Sequence, residues 1–97
     1  MKLRLVPCAQ RDLRAYGYHL AADDPEAAER EMDKVLDAIR YFSDLPADGQ
    51  RARIRGVART VRKWYLHPFH VYYERRADEF VVLRIYHHAR RPVERSP

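Results

Sequence analysis

The sequence predicts an α+β fold: an N-terminal strand, an antiparallel α-hairpin, and a three- to four-stranded antiparallel sheet on which the hairpin packs. Three observations predict it. Apolar residues first recur at helical spacing, at Ala9, Leu13, Tyr16 and Leu20 and again at Ala28, Met32, Val35, Ile39 and Phe42. Asp24-Pro25-Glu26 separates the two runs with an N-cap, a first helical residue and a first-turn acid. After Gly49 the pattern becomes extended, rich in Val, Tyr, Trp and Phe.

The elements follow in order. Lys2 to Val6 alternates polar and apolar residues, which predicts a short strand ended by Pro7. A helix is expected from Ala9 to about Leu20, weakened in its second half by Gly17 at about 1 kcal/mol relative to Ala. The second helix is expected from Pro25 to about Phe42, its outer face carrying Glu29, Arg30, Asp33, Lys34, Asp37 and Arg40. A short capped turn between two amphipathic helices predicts antiparallel packing. Leu45 to Gly49 is a loop by its Pro, Asp and Gly.

Three strands are expected next, Val57–Leu66, Phe69–Arg75 and Phe80–His87. They are joined by turns at His67-Pro68 and at Arg76 to Glu79. The order is therefore β-α-α-β-β-β, with the first strand joining the sheet. The tail from Arg90 to Pro97 is polar with two prolines, and its end, about residues 92–97, is expected to be mobile.

At 97 residues the chain is expected to form one domain, with a thin core. The single cysteine, Cys8, permits no intrachain disulfide and no multi-cysteine metal site. It reads as a small residue at a strand–helix junction. No run resembles a signal peptide or a membrane span, so a cytoplasmic location, no membrane association and no cofactor are expected. Net charge is +5 but unevenly spread: residues 1–49 carry seven Lys/Arg against ten Asp/Glu, and residues 50–97 carry twelve against four. The second half therefore presents a positive surface, suited to nucleic acid, acidic protein or anionic lipid.

Several strings together resemble one family. Asp12-Leu13, Tyr16 and Asp24-Pro25-Glu26-Ala27-Ala28 are similar to the opening helices of ParE-type toxins of the RelE/ParE superfamily. Ile39, Leu45-Pro46 and Gly49 stand where that family ends its second helix, and Gly56 with Arg59 resembles its step into the sheet. Val71-Tyr72-Tyr73 resembles its central strand, and Val81 to Arg90 its last strand and ending. The resemblance covers residues 3 to 93 and implies the toxin of a type II toxin–antitoxin pair, with a helical hairpin on an antiparallel sheet. It implies an antitoxin partner, a hetero-oligomer with it, and DNA gyrase as the target, with no hydrolytic centre. Two departures, the basic Arg51 to Lys63 stretch and the doubled His87-His88, keep one further role open, and a second stands beside it independently. One is a RelE-like, ribosome-dependent mRNA endonuclease. The other is an inactive member that acts only with its antitoxin in autoregulation.

The candidate residues follow from these readings. Target contacts are expected from Arg59, Arg84, His87, Arg90 and Arg91, and antitoxin contacts from Leu13, Tyr16, Leu20, Trp64 and Tyr72. Cleavage of RNA through its own 2′-hydroxyl needs a base, an acid and cations for the phosphorane charge. His87, Arg84 and Arg59 would supply them, and no catalytic residue is assigned otherwise. Adjacent histidines on a strand point to opposite faces, so no metal site is expected.

Overall fold

The computed structural model describes residues 1–87. The expected mobile tail, and with it Arg90 and Arg91, lies outside the described residues. The elements are β1 (Lys2–Leu5), α1 (Pro7–Ala21), α2 (Pro25–Ser43), β2 (Gln50–Ala52), β3 (Val61–Leu66), β4 (Phe69–Arg76) and β5 (Glu79–His87). One sheet runs in the order β1-β5-β4-β3-β2. β1 pairs parallel to β5 and every other neighbour is antiparallel. The expected sheet of three to four strands thus has five, and its N-terminal strand makes it mixed.

Three local differences have physical causes. α1 starts at Pro7 rather than Ala9, because proline's fixed φ suits the first helical position and Val6 before it is extended. Gly17 does not weaken the hairpin's packing: a Cβ there would stand 3.2 Å from the Met32 sulfur, so the missing side chain lets α2 approach closely. The strand expected to start at Val57 starts at Val61, and a separate three-residue strand, β2, precedes it. Between them the chain turns at Gly56, whose φ of 80° is left-handed.

The predicted cap is present. Asp24 is extended and its carboxylate accepts from the Glu26 and Ala27 amides, each at 3.1 Å.

The hydrophobic residues divide between the two faces of the sheet. Beneath the hairpin, Val35, Ile39 and Phe42 of α2 meet Val71, Tyr73 and Phe80. Phe42 stacks on Trp64 with ring centroids 4.0 Å apart. On the opposite face, Ala52, Ile54, Val61, Tyr72, Val81 and Leu83 form a second cluster. Among the described residues no helix covers this face; Ala52, Ile54 and Val57 of the 52–57 segment pack into it. Burial on both faces explains the unbroken Val81-Val82-Leu83 run in β5, which has no polar alternation. Strand alternation buries Tyr72 and Tyr73 on opposite sides, and the register shift beside them leaves Leu83 of β5 as the unpaired extra residue.

Candidate target- and partner-binding surfaces

β1 ends opposite Val82, where the Val6 amide donates to the Val82 carbonyl at 3.1 Å and the chain turns into α1. β5 runs on to His87 with no strand on that side among the described residues, so its edge needs another partner. Asp12, on the second turn of α1, supplies it. Its carboxylate accepts from the Ile85 amide at 3.0 Å and from Arg84 Nε and Nη2 at 2.7 and 2.9 Å. This hydrogen bonding to Asp12 raises the already high pKa of Arg84. The bidentate pair fixes helix to strand across 72 positions of sequence.

Next to this pair, Tyr16 packs edge-on to Phe69 at 4.6 Å and stacks on His87 at 5.7 Å. Asp12, Tyr16, Phe69, Arg84 and His87 line a pocket of about 100 Å³. Burial, with Glu31 nearby, raises the Tyr16 pKa above its ordinary value. Arg84, His87 and Tyr16, expected in two different roles, therefore meet at one corner.

Arg59 does not join them. Its Nε donates to Glu74 at 2.6 Å, and Arg76 bonds the same carboxylate at 2.9 Å. Hydrogen bonding from Arg59 first, then from Arg76, lowers the Glu74 pKa to about 2. Glu74 stands five residues along β4 from Phe69, the pairing partner of His87. At about 3.3 Å per residue that is roughly 16 Å. The three residues expected of a nuclease are thus not assembled. Among the described residues, no group of three His, Cys, Asp or Glu side chains could hold a metal. Cys8 is exposed and accepts from Arg11 Nη2 at 3.1 Å.

The expected antitoxin contacts also divide. Leu13 and Tyr72 are core residues, 7% and 2% exposed. The helical stripe and the strand alternation that singled them out are what bury them. Tyr16, Leu20 and Trp64 are half-buried at the hairpin's margins. Sequence reasoning passed over Tyr18 and Tyr41, which are 76% and 69% exposed on the two helices. Large aromatics off the apolar stripe were the available signal.

Arg75 also went unnoticed. It lies over the Phe42, Tyr73 and Phe80 rings and donates to the Ser43, Leu45 and Ala47 carbonyls at 2.9, 3.0 and 2.8 Å. Its Nε also meets Asp48 at 2.9 Å. A cation there satisfies the carbonyls at the end of α2 and shapes the loop into β2.

Over residues 3–92 the sequence matches the model of a family described as ParE toxin of type II toxin–antitoxin system, parDE. Among solved structures, the fold is similar to that of the chromosomal ParDE TA system from P. aeruginosa. The TM-score is 0.71 at 24% identity, covering 90% of this chain and 95% of that one. It is also similar to a copper-bound mutant toxin from Helicobacter pylori, with a TM-score of 0.50 at 21% identity over 92% of this chain and 96% of that one. Both likenesses are of fold. No curated protein matches the sequence.

Proposed function

The chain belongs to the ParE toxin family of type II toxin–antitoxin systems, and on that premise we propose that it arrests growth by binding DNA gyrase in the cytoplasm and is neutralised by a cognate antitoxin. The observation that carries a binding role over a catalytic one is the separation of its candidate cations. Arg84 is held by Asp12 on the hairpin side, and Arg59 is held by Glu74, which stands about 16 Å along β4 from Phe69, the pairing partner of His87. An active site for phosphoryl chemistry needs its groups converging on one atom, within hydrogen-bond reach. A binding surface needs only that they be displayed. Arg84, His87 and Arg59, together with Arg90 and Arg91 of the C-terminal sequence, are the proposed target contacts.

Its antitoxin is proposed to lie along the hairpin, against the exposed Tyr18 and Tyr41 and the half-buried Tyr16, Leu20 and Trp64. An acidic segment in it would complement the basic second half of the chain.

A supercoiling assay with purified gyrase and the purified chain tests the reading. Inhibited supercoiling or trapped cleavage complexes are expected; gyrase that stays fully active at a large molar excess of the chain refutes it. One arrangement favours a second reading, as a ribosome-dependent mRNA endonuclease: Tyr16, Arg84 and His87 line a single pocket. Cleavage within ribosome-bound codons that is lost in His87→Ala would establish that reading instead.

A further inference from the structure

Among the described residues, the most concentrated charge outside these corners lies on β2 and the segment after it. From Arg51 to Arg55, arginine alternates with Ala52 and Ile54. Ala52 and Ile54 are buried in the second core at 6% and 0% exposure, so the alternation turns Arg51, Arg53 and Arg55 outward. Among the described residues β2 is the last strand of the sheet and pairs only with β3, which leaves its other edge open. No ion pair engages these three arginines among the described residues. The nearby carboxylate of Glu74 is already engaged by Arg59 and Arg76. Residues 50–87 carry nine Lys/Arg against three Asp/Glu, so the surroundings do not offset the row.

We propose that Arg51, Arg53 and Arg55 form a rail that binds the phosphate backbone of duplex DNA without reading its sequence. Alternate residues of an extended segment stand about 6.6 Å apart, which sets Arg51 and Arg53 side by side, and Arg55 follows at the turn that leads to Gly56. The three guanidinium groups together form a compact positive surface for the closely spaced charges of a duplex. All three cations are arginine, whose planar fork meets phosphate oxygens in pairs. An acidic protein is a poorer match. Protein interfaces draw their affinity from buried aromatic and apolar anchors, and here the apolar residues of the segment face inward. A phosphate backbone needs no such anchor, since release of counterions supplies the affinity.

This role goes beyond gyrase binding and stands apart from it, because the test uses bare DNA. Fluorescence anisotropy of a short labelled duplex of mixed sequence, titrated with the full chain over a range of salt, reads it directly. Each phosphate contact contributes about 0.9 to the slope of log affinity against log salt. The variant carrying Arg51→Ala, Arg53→Ala and Arg55→Ala is therefore expected to lose about 2.7 from the wild-type slope. A fourfold rise in salt would then weaken the wild type about fortyfold more than the variant. Arg53→Gln alone should lose about 0.9, and it serves if the triple variant fails to fold. Arg30→Ala with Arg40→Ala, on the exposed face of α2, should leave the slope unchanged. The proposal is overturned if the chain does not bind duplex, or if the Arg53→Gln and triple-variant slopes equal the wild type's. It is also overturned if the rail binds single-stranded RNA or polyglutamate while duplex is ignored. A gyrase assay that fails while this binding persists would refute only the proposed target.

Discussion

Replacing Asp12 removes three hydrogen bonds at once, and the geometry sets how much stability should go with them. In Asp12→Ala, the Ile85 amide loses its acceptor at an edge that β1 does not reach. A donor left without a partner costs about 1–2 kcal/mol. Arg84 loses both bonds, but its side chain is 28% exposed and water recovers part of the loss. We take about 1 kcal/mol for that share, the upper end for pairs open to solvent. The sum is about 2–3 kcal/mol, a large part of the 5–15 kcal/mol typical of a domain. In a chain of this size it should lower the thermal midpoint by about 10–20 °C, followed by circular dichroism. Asp12→Asn keeps a carbonyl oxygen for the Ile85 amide but loses the charge and turns an NH2 donor toward Arg84 Nη2, so it should fall about midway. A double-mutant cycle with Arg84→Ala should return a coupling of about 1 kcal/mol. The reasoning fails if Asp12→Ala lies within about 0.5 kcal/mol of wild type, or if the Asn and Ala variants are equally unstable.

Two further outcomes follow from single contacts. The folded pKa of Glu74, about 2, lies below its ordinary value of 4.5. Its ionised form is therefore favoured by folding, and the contribution is complete above about 4.5 and lost as the pH falls toward 2. The difference in urea midpoint between wild type and Glu74→Gln should shrink across that window; a difference independent of pH would contradict the assignment to Arg59 and Arg76. A Cβ at Gly49 would overlap the backbone carbonyl of Lys63, on the strand that β2 pairs with. Backbone cannot swing aside as a flexible side chain can, so Gly49→Ala should cost at least about 3 kcal/mol or abolish soluble expression. A variant of wild-type stability in urea denaturation would show that the loop before β2 relaxes freely.

What could be read from the sequence was local. The cap at Asp24 and the spans of β4 and β5 follow from residues within one turn or one strand of each other, where periodicity and capping chemistry act. β2 is three residues long with one apolar member, too short to show an alternation. The Asp12–Arg84 pair was out of reach for a different reason. Asp12 stood out only as part of a helix motif and Arg84 only as a charge on a strand, and nothing in either neighbourhood names the other across 72 residues. Arg75 is the same case, since a cation on an otherwise apolar strand face gives no sign of the helix end it will meet. Leu13 and Tyr72 show the converse. Periodicity identified them correctly as apolar-face residues, and such a face supplies the core before it supplies a partner.

The basic segment joins stability to function more closely than a solvated charge run would. Ala52 and Ile54 help close the second core over Tyr72, Val81 and Leu83, and the residues beside them carry the rail. Both properties come from one period of two, so neither can shift register alone: a slip by one residue would expose Ile54 and bury an arginine. Burying an unpaired guanidinium costs far more than exposing one isoleucine gains in freedom. The inward residues thus fix where the backbone sets each arginine. Only the exposed side chains then remain to be ordered when a target arrives, which lowers the entropic cost of binding without removing it.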